Sequence, residues 1–358
     1  MINESTHTLQ SDAIALLKQL IATPSFSREE DRTASLLTHF FGIRNIIHSR
    51  VANNVYAFNK HYTPAKPTII LNSHHDTVKP NAAYTLDPFV PLEKDGKIFG
   101  LGSNDAGGSL VALIAVFVYY YSARDLKYNL VIAATAEEEI SGHNGIELLL
   151  PDLGNIAFGI VGEPTQMQMA IAEKGLLVLD GVASGKAGHA ARNEGENAIY
   201  KALKDIQWFN TYSFDKVSSL LGPVKMSVTV INTENKAHNV VPSVCSFVAD
   251  IRVNELYTFG QILETVKNNI SSVVQPRSLR MQSSLISKEH ELVRSGIKLG
   301  RSCYGSPTTS DKALMPFPAL KIGPGDSARS HTPDEYIFID EIKEGIDLYL
   351  GLLENIIH

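Results

Sequence analysis

The stretch "GGSLVALIAVFVYYYSA" (Gly107–Ala123) is almost wholly apolar. A helix with no polar face must be covered on all sides by the rest of the protein. Short β-branched runs flank it, "TIILNS" (Thr68–Ser73) before and "NLVIAATA" (Asn129–Ala136) after. A buried helix between two strands points to a largely parallel or mixed sheet covered by helices. The neighbouring segments extend that pattern. "SDAIALLKQLIAT" (Ser11–Thr23) and "TASLLTHFFG" (Thr33–Gly42) have helical spacing, while "NNVYAF" (Asn53–Phe58) and "IAFGIVG" (Ile156–Gly162) read as further strands.

The middle of the chain has its own rhythm. From Gly175 to Ser287 the segments read strand, helix, strand, strand, helix, strand, with "LRMQSSLI" (Leu279–Ile286) as the last strand. That βαββαβ order is ferredoxin-like. After it, α/β features resume in "PALKIG" and a closing helix from Ile339. The expected organisation is a catalytic α/β domain over 1–174 and 288–358, interrupted by an inserted domain over 175–287. With 358 residues, the chain is long enough for two cores.

Charge and cysteine content narrow the functional classes. A formal net charge of −6 argues against nucleic acid or an anionic membrane as the main partner. Cys245 and Cys303 are too few for a disulfide framework, which suits a reducing compartment. "MINESTHTLQSDAIALLKQL" has no basic start followed by an apolar block, so no signal peptide is expected. No apolar run approaches the roughly 20 residues of a membrane span. A cytoplasmic protein is the expectation.

Ionisable residues gather where the strands end. His74 and Asp76 follow "TIILNS"; Asp105 lies in the turn "GLGSNDAGG"; Glu137, Glu138 and Glu139 follow "NLVIAATA". Glu163 follows "IAFGIV", and His331 lies in "GPGDSARSHTPDE". Any one of these alone is ordinarily a solvated turn residue, and a run of three glutamates is ordinarily a helix start. The glycine-rich turn lacks the spacing of a phosphate loop. Together they would crowd several carboxylates into the crevice where open sheets bind ligands. Such repulsion needs a cation to offset it.

Histidine with carboxylate suits zinc or a similar divalent ion. The group exceeds what one catalytic zinc requires. It fits two ions about 3.5–4 Å apart, each with one histidine and one terminal carboxylate, sharing a bridging carboxylate. Alternate strand residues face the same way, so His74 and Asp76 should point together and His75 away. A carboxylate beside a ligating histidine fixes its ring. His74 is then the ligand, Asp76 its clamp and His75 a bystander.

The motifs "SHHD", "GLGSNDAGG", "TAEEEISG", "GEPT", "GHAA", "HNVVPSVCSFVADIR" and "SHTPDE" run in order along the chain. In this the chain resembles the co-catalytic zinc aminoacylase and carboxypeptidase family, which includes acetylornithine deacetylases, succinyl-diaminopimelate desuccinylases and tripeptidases. The resemblance implies an α/β zinc domain interrupted by a lid and dimerisation domain. It implies two zinc ions, replaceable by cobalt or manganese, with His74 and Glu163 on one, Glu139 and His331 on the other, and Asp105 between them. Glu138 is then the general base, and Glu137 holds no metal. His189 would stabilise the oxyanion in a partner subunit's site, and a homodimer follows. Asn239 and Arg252 would contact substrate, with Arg252 forking a carboxylate. Gly323 and Gly325 would allow close backbone approach to substrate. Position alone, not the resemblance, makes Arg329, two residues from His331, and the nearby Asp326 either readers of the remainder of the substrate or solvated residues.

Two positions depart from the family's pattern: Leu101 stands where arginine is frequent, and Gly107 where lysine is frequent. The expected reaction is hydrolysis of a small N-acyl amino acid such as N-acetylornithine, N-acetylcitrulline or a succinylated relative, in arginine biosynthesis. The alternatives are a dipeptidase or carboxypeptidase with the same centre, or a metal-binding homologue without catalysis. The presence of Glu138 speaks against the last.

Overall fold

The computed structural model describes residues 6–192 and 194–358. The chain divides into two compact units: one covers residues up to 171 with 286–304 and 310–358, and the other covers 172–285 with 305–309. The excursion at 305–309 has no counterpart in the sequence reading.

In the first unit the strand Thr68–His74 runs parallel to both Asn129–Thr135 and Ile156–Val161. Ala319–Lys321 extends the parallel set beside Ile156–Val161. Asn54–Phe58 and Met169–Glu173 join antiparallel on the two sides, so the sheet is mixed. Strands Thr68–His74 and Asn129–Thr135 are buried at every residue. That is the pattern of strands covered on both faces.

The apolar stretch forms the helix Gly108–Tyr120, buried at every position from Gly108 to Phe117. It packs on those two strands and between the helices Thr6–Ile21 and Ile339–Ile357. The first of these helices begins five residues earlier than its Ser-Asp signal suggested. On the opposite face Ile70, Val131 and Val161 meet Ile146, Leu149, Leu153 and Met315. Burying side chains of this size stabilises by about 1.5–3 kcal/mol each. The sheet is thereby held as a rigid base, and its strand ends become fixed points.

The second unit has a four-stranded antiparallel sheet in the order Lys225–Asn232, Val244–Val253, Gly175–Ser184, Val273–Pro276. Helices Ala198–Thr211 and Phe259–Asn269 bury Ala202, Phe209, Ile262 and Val266 against one face of it, on Leu177, Phe247 and Ile251. This is the ferredoxin-like arrangement. The last strand differs from expectation: it is Val273–Pro276, while Leu279–Ile286 contributes only the short strand Ser284–Leu285. Val273–Pro276 lies at the sheet edge, where the missing N–H of Pro276 is tolerated. No helix among the described residues is long and apolar enough to cross a membrane.

Candidate metal centre

Three neighbouring parallel strands end side by side. His74 is the last residue of its strand and lies opposite Thr135, while Asn72 lies opposite Val161. The chain beyond Thr135 carries Glu137–Glu139, and the chain beyond Val161 carries Glu163. Asp105 stands on the turn Ser103–Gly107 that leads into the buried helix. His331 follows the Ala319–Lys321 strand through a loop. Parallel register therefore gathers these residues at one edge of the sheet.

The distances describe one cluster. His74 Nε2 lies 3.3 Å from Asp105 Oδ1 and 3.9 Å from both Glu138 Oε2 and Glu163 Oε1. His331 Nε2 lies 3.0 Å from Glu139 Oε2 and 3.7 Å from Asp105 Oδ2. Asp105 thus turns one oxygen to each histidine. Two trios, His74–Glu138–Glu163 and His74–Asp105–Glu139, have ligand atoms within 4.8 Å of one another. Imidazole and carboxylate at this spacing form a donor set that could hold divalent ions.

Without a cation the cluster is electrostatically frustrated. Burial pushes the Glu138 carboxyl well above the ordinary range; the Glu163, Asp311 and Glu139 carboxylates push the same way, against His74. Glu139 is raised too, by burial first. Burial works to lower His74, but the Asp105 and Asp76 carboxylates outweigh it and hold the ring well above its usual value. The hydrogen bond to Glu139 raises His331 to about 9. Carboxyls forced upward by burial, and further by one another, are what a dication would relieve.

Asp76 clamps His74 with two groups: Nδ1 lies 2.9 Å from its carbonyl oxygen and 3.4 Å from its carboxylate. The Asp76 carboxylate accepts from Ser27 Oγ at 2.7 Å and from the backbone N–H groups of Glu138 and Glu139 at 3.1 and 3.2 Å. It sets the turn that presents both glutamates. Glu137 is turned away, accepting from Asn144 Nδ2 at 2.8 Å. His75 also turns away, to Thr33 Oγ1 and the Asn53 carbonyl, and burial lowers it to about 4.

Several expected substrate contacts have other partners. Arg329 forks onto Glu341 with two bonds of 2.7 Å and lies over the Tyr336 ring. It braces the start of the last helix, and its reading as a substrate contact is corrected. Asp326 caps a short turn through the Ala328 N–H and accepts from Gln166 Nε2. A Cβ on Gly323 would lie 2.5 Å from the Glu163 carbonyl oxygen, and one on Gly325 would lie 2.5 Å from Asn104 Oδ1. These glycines answer to close packing within the protein rather than to a substrate.

In the second unit Arg252 is forked by Asp250 at 2.8 and 3.0 Å. It lines a cavity with Lys174, Lys225, Ser227 and Thr229. His189 is exposed, on a two-residue ladder with Val240–Val241, and the exposed Asn239 ties that ladder through its carbonyl to the Ala190 N–H. Gly107, where lysine was noted as frequent, leaves a Cβ only 2.3 Å from the Gly102 carbonyl oxygen; Leu101 is buried.

Comparison with known proteins settles the lineage. Residues 70–355 match Peptidase family M20/M25/M40. The chain belongs to this family. It is accordingly an enzyme, a hydrolase. Among curated M20-type relatives, a succinyl-diaminopimelate desuccinylase of Wolbachia pipientis is 26% identical, with 97% of this chain and 94% of that one covered. An acetylornithine deacetylase of Buchnera aphidicola is also 26% identical, covering 96% and 97%. Among solved structures, a Staphylococcus aureus tripeptidase superposes with a TM-score of 0.77 at 19% identity, over 97% of this chain and 98% of that one. An M20 metallo-carboxypeptidase of Sulfolobus solfataricus gives 0.77 at 17%, over 96% and 98%.

Two buried carboxylates of this M20 chain escaped the sequence reading. Asp311 accepts from Asn72 Nδ2 at 2.9 Å and Thr135 Oγ1 at 2.8 Å, joining the ends of the two central strands. Glu335 accepts from the backbone N–H groups of Asn104 and Asp105 at 2.8 and 3.0 Å. Neither stands at a strand end, and nothing local in "TTSDKA" or "HTPDE" announces a distant backbone partner.

The raised values fix the sign of a pH effect. In the metal-free protein the raised His331 contributes stability that is fully present below about 6.5, the ring's unfolded value, and is lost as pH rises through about 9. Metal must displace the proton held by His331, so uptake should release about one proton at pH 7 and strengthen as pH rises. Calorimetric titration with zinc in buffers of different ionisation enthalpy measures that release. Uptake with no proton release would show that the cluster is already fully deprotonated.

Proposed function

We propose that the chain hydrolyses the amide of a small N-acyl amino acid with two divalent ions, zinc in the first instance, with cobalt or manganese able to substitute. The observation that carries this reading is Asp105, whose Oδ1 lies toward His74 and whose Oδ2 lies toward His331. In the proposed arrangement His74 and Glu163 hold one ion, Glu139 and His331 the other, and Asp105 is shared. When bound, such a pair polarises a carbonyl oxygen and lowers the pKa of a water toward about 7.

The remaining work falls to side chains. Glu138 is left over from the ligand set yet faces it, with its carboxylate 3.9 Å from His74 Nε2. It takes a proton from the attacking water and returns one to the departing amine nitrogen. Asp76 keeps Glu138 and Glu139 in adjacent but separate roles, because both of its oxygens are engaged by their backbone N–H groups. The carboxylates that repel one another in the metal-free cluster become the ligands and base of the loaded one.

The substrate class rests on the curated relatives, named as desuccinylases and deacetylases. An N-acetyl or N-succinyl group on a polar amino acid such as ornithine, citrulline or diaminopimelate suits them; an arginine-pathway role is one branch of that class. The assembly proposed is a homodimer through the second unit. The edge strand Lys225–Asn232 carries Val230 and Ile231 at 50% and 52% exposure, an apolar edge open to pairing with a second copy. His189 would then serve the partner's site. Solution mass by light scattering checks this; a monomer at all concentrations would refute it.

A panel of N-acetylornithine, N-acetylcitrulline, N-succinyl-diaminopimelate, N-acetylleucine and a plain dipeptide, assayed with zinc-loaded protein, tests the whole reading. One of the first three should lead in kcat/KM. Glu138→Gln should keep its metal and lose at least about 10²-fold in turnover. A best rate on the dipeptide would overturn the deacylase reading, and an undiminished Glu138→Gln would overturn the assignment of the base.

A further inference from the structure

His331 is the exposed member of the cluster, with its side chain 53% accessible to solvent. Its backbone stands at φ +59, a left-handed conformation that a histidine does not favour on its own. Packing does not hold this ring in place, so the loop must. The loop is tied on both sides of His331 to one short segment, Asn104–Asp105. Before His331, Asn104 Oδ1 accepts from the Asp326 N–H at 2.9 Å, and Asn104 Nδ2 donates to the Asp326 carbonyl at 3.0 Å and to Ser330 Oγ at 3.3 Å. After His331, Glu335 Oε1 accepts from the backbone N–H groups of both Asn104 and Asp105. The Glu335 carbonyl also accepts from the Gly100 N–H at 2.9 Å.

We propose that Glu335 is a positioning residue that locks the His331 loop to the Asp105 turn and so sets the spacing of the ion shared by Asp105, Glu139 and His331. This rests on the two-ion reading above and goes beyond it by naming what holds that ion's most exposed ligand.

Glu335 is only 2% exposed, so water does not compete for its bonds to the Asp105 turn. The single oxygen that accepts both N–H groups also fixes the direction of the peptide on which Asp105 stands. Asp105 serves both ions, but His74 and Glu163 stand at strand ends outside this bracket, whereas His331 lies within it, so the ion held by His74 and Glu163 depends on the bracket less.

The test is a cobalt(II) titration of the full chain, followed by absorption and calorimetry, on wild type, Glu335→Ala and Glu335→Gln. Amide exchange of residues 100–107 is measured on the metal-free proteins. Glu335→Ala should weaken one ion about 10–100-fold and leave the other within about threefold. It should speed exchange at Asn104 and Asp105 by about tenfold or more, because two buried donors lose their acceptor. Glu335→Gln keeps an oxygen in the same place and should restore both readouts most of the way.

Glu335→Ala with both affinities and both exchange rates at wild-type values would overturn the proposal. So would equal weakening of both ions together with a lower Tm, which is the signature of general fold loss. Wild type that binds fewer than two ions would overturn the two-ion reading and this proposal with it. The exchange data from the metal-free protein keep the two failures apart.

Discussion

Mutual repulsion among Asp105, Glu138, Glu139 and Glu163 governs the architecture around them. Carboxylates this close do not sit together in a folded protein unless something fixes them and something neutralises them. The fixing is visible in the rigid sheet. Strands Thr68–His74, Asn129–Thr135 and Ile156–Val161 end in register, and their buried faces leave them little freedom to part. The neutralisation is visible only as a demand, in the upward pressure on Glu138, Glu139 and His331.

A second set of polar groups answers the first. Asp76 holds the backbone of Glu138 and Glu139, Asp311 ties Asn72 to Thr135, and Glu335 ties the Asp105 turn to the His331 loop. Each is buried, and each accepts hydrogen bonds from the cluster residues themselves or from groups within three residues of them. Orientation of this kind tunes a metal site as strongly as the ligands themselves. It also explains why adjacent glutamates can divide the work. Glu137 is turned out to Asn144, while Glu138 and Glu139 face in from one short turn whose two amides share the carboxylate of Asp76.

The sequence disclosed the cluster more readily than its supports, for physical reasons. Strand ends in an open sheet converge whatever their side chains do, so His74, Asp105, the run Glu137–Glu139, Glu163 and His331 could be placed together from pattern, while the choice of Glu139 within the run came from the family resemblance. Asp76 does stand against His74 and His75 turns away, but the Asp76 carboxylate's bonds to the Glu138 and Glu139 N–H groups lay beyond what alternation could tell, because this strand stops at His74. Arg329 looked available beside His331, but its partner Glu341 arrives on a helix twelve residues further on. Gly323 and Gly325 looked like room for a substrate, yet the space is filled by the Glu163 loop and Asn104. Asp311 and Glu335 were hidden because their partners lie up to 239 residues away in the chain. The inserted ferredoxin-like sheet was legible from its order of segments, but its last strand was misplaced, since Pro276 sits where only an edge strand tolerates it.

The central claim is that Asp105 lies between two metal ions. It is tested most directly by anomalous diffraction at the zinc edge from crystals of the zinc-loaded protein. Two peaks about 3.5–4 Å apart, one beside His74 and Glu163 and the other beside Glu139 and His331, with Asp105 reaching both, are the predicted result. A single peak, or peaks held by other residues with Asp105 bound to neither, would contradict it.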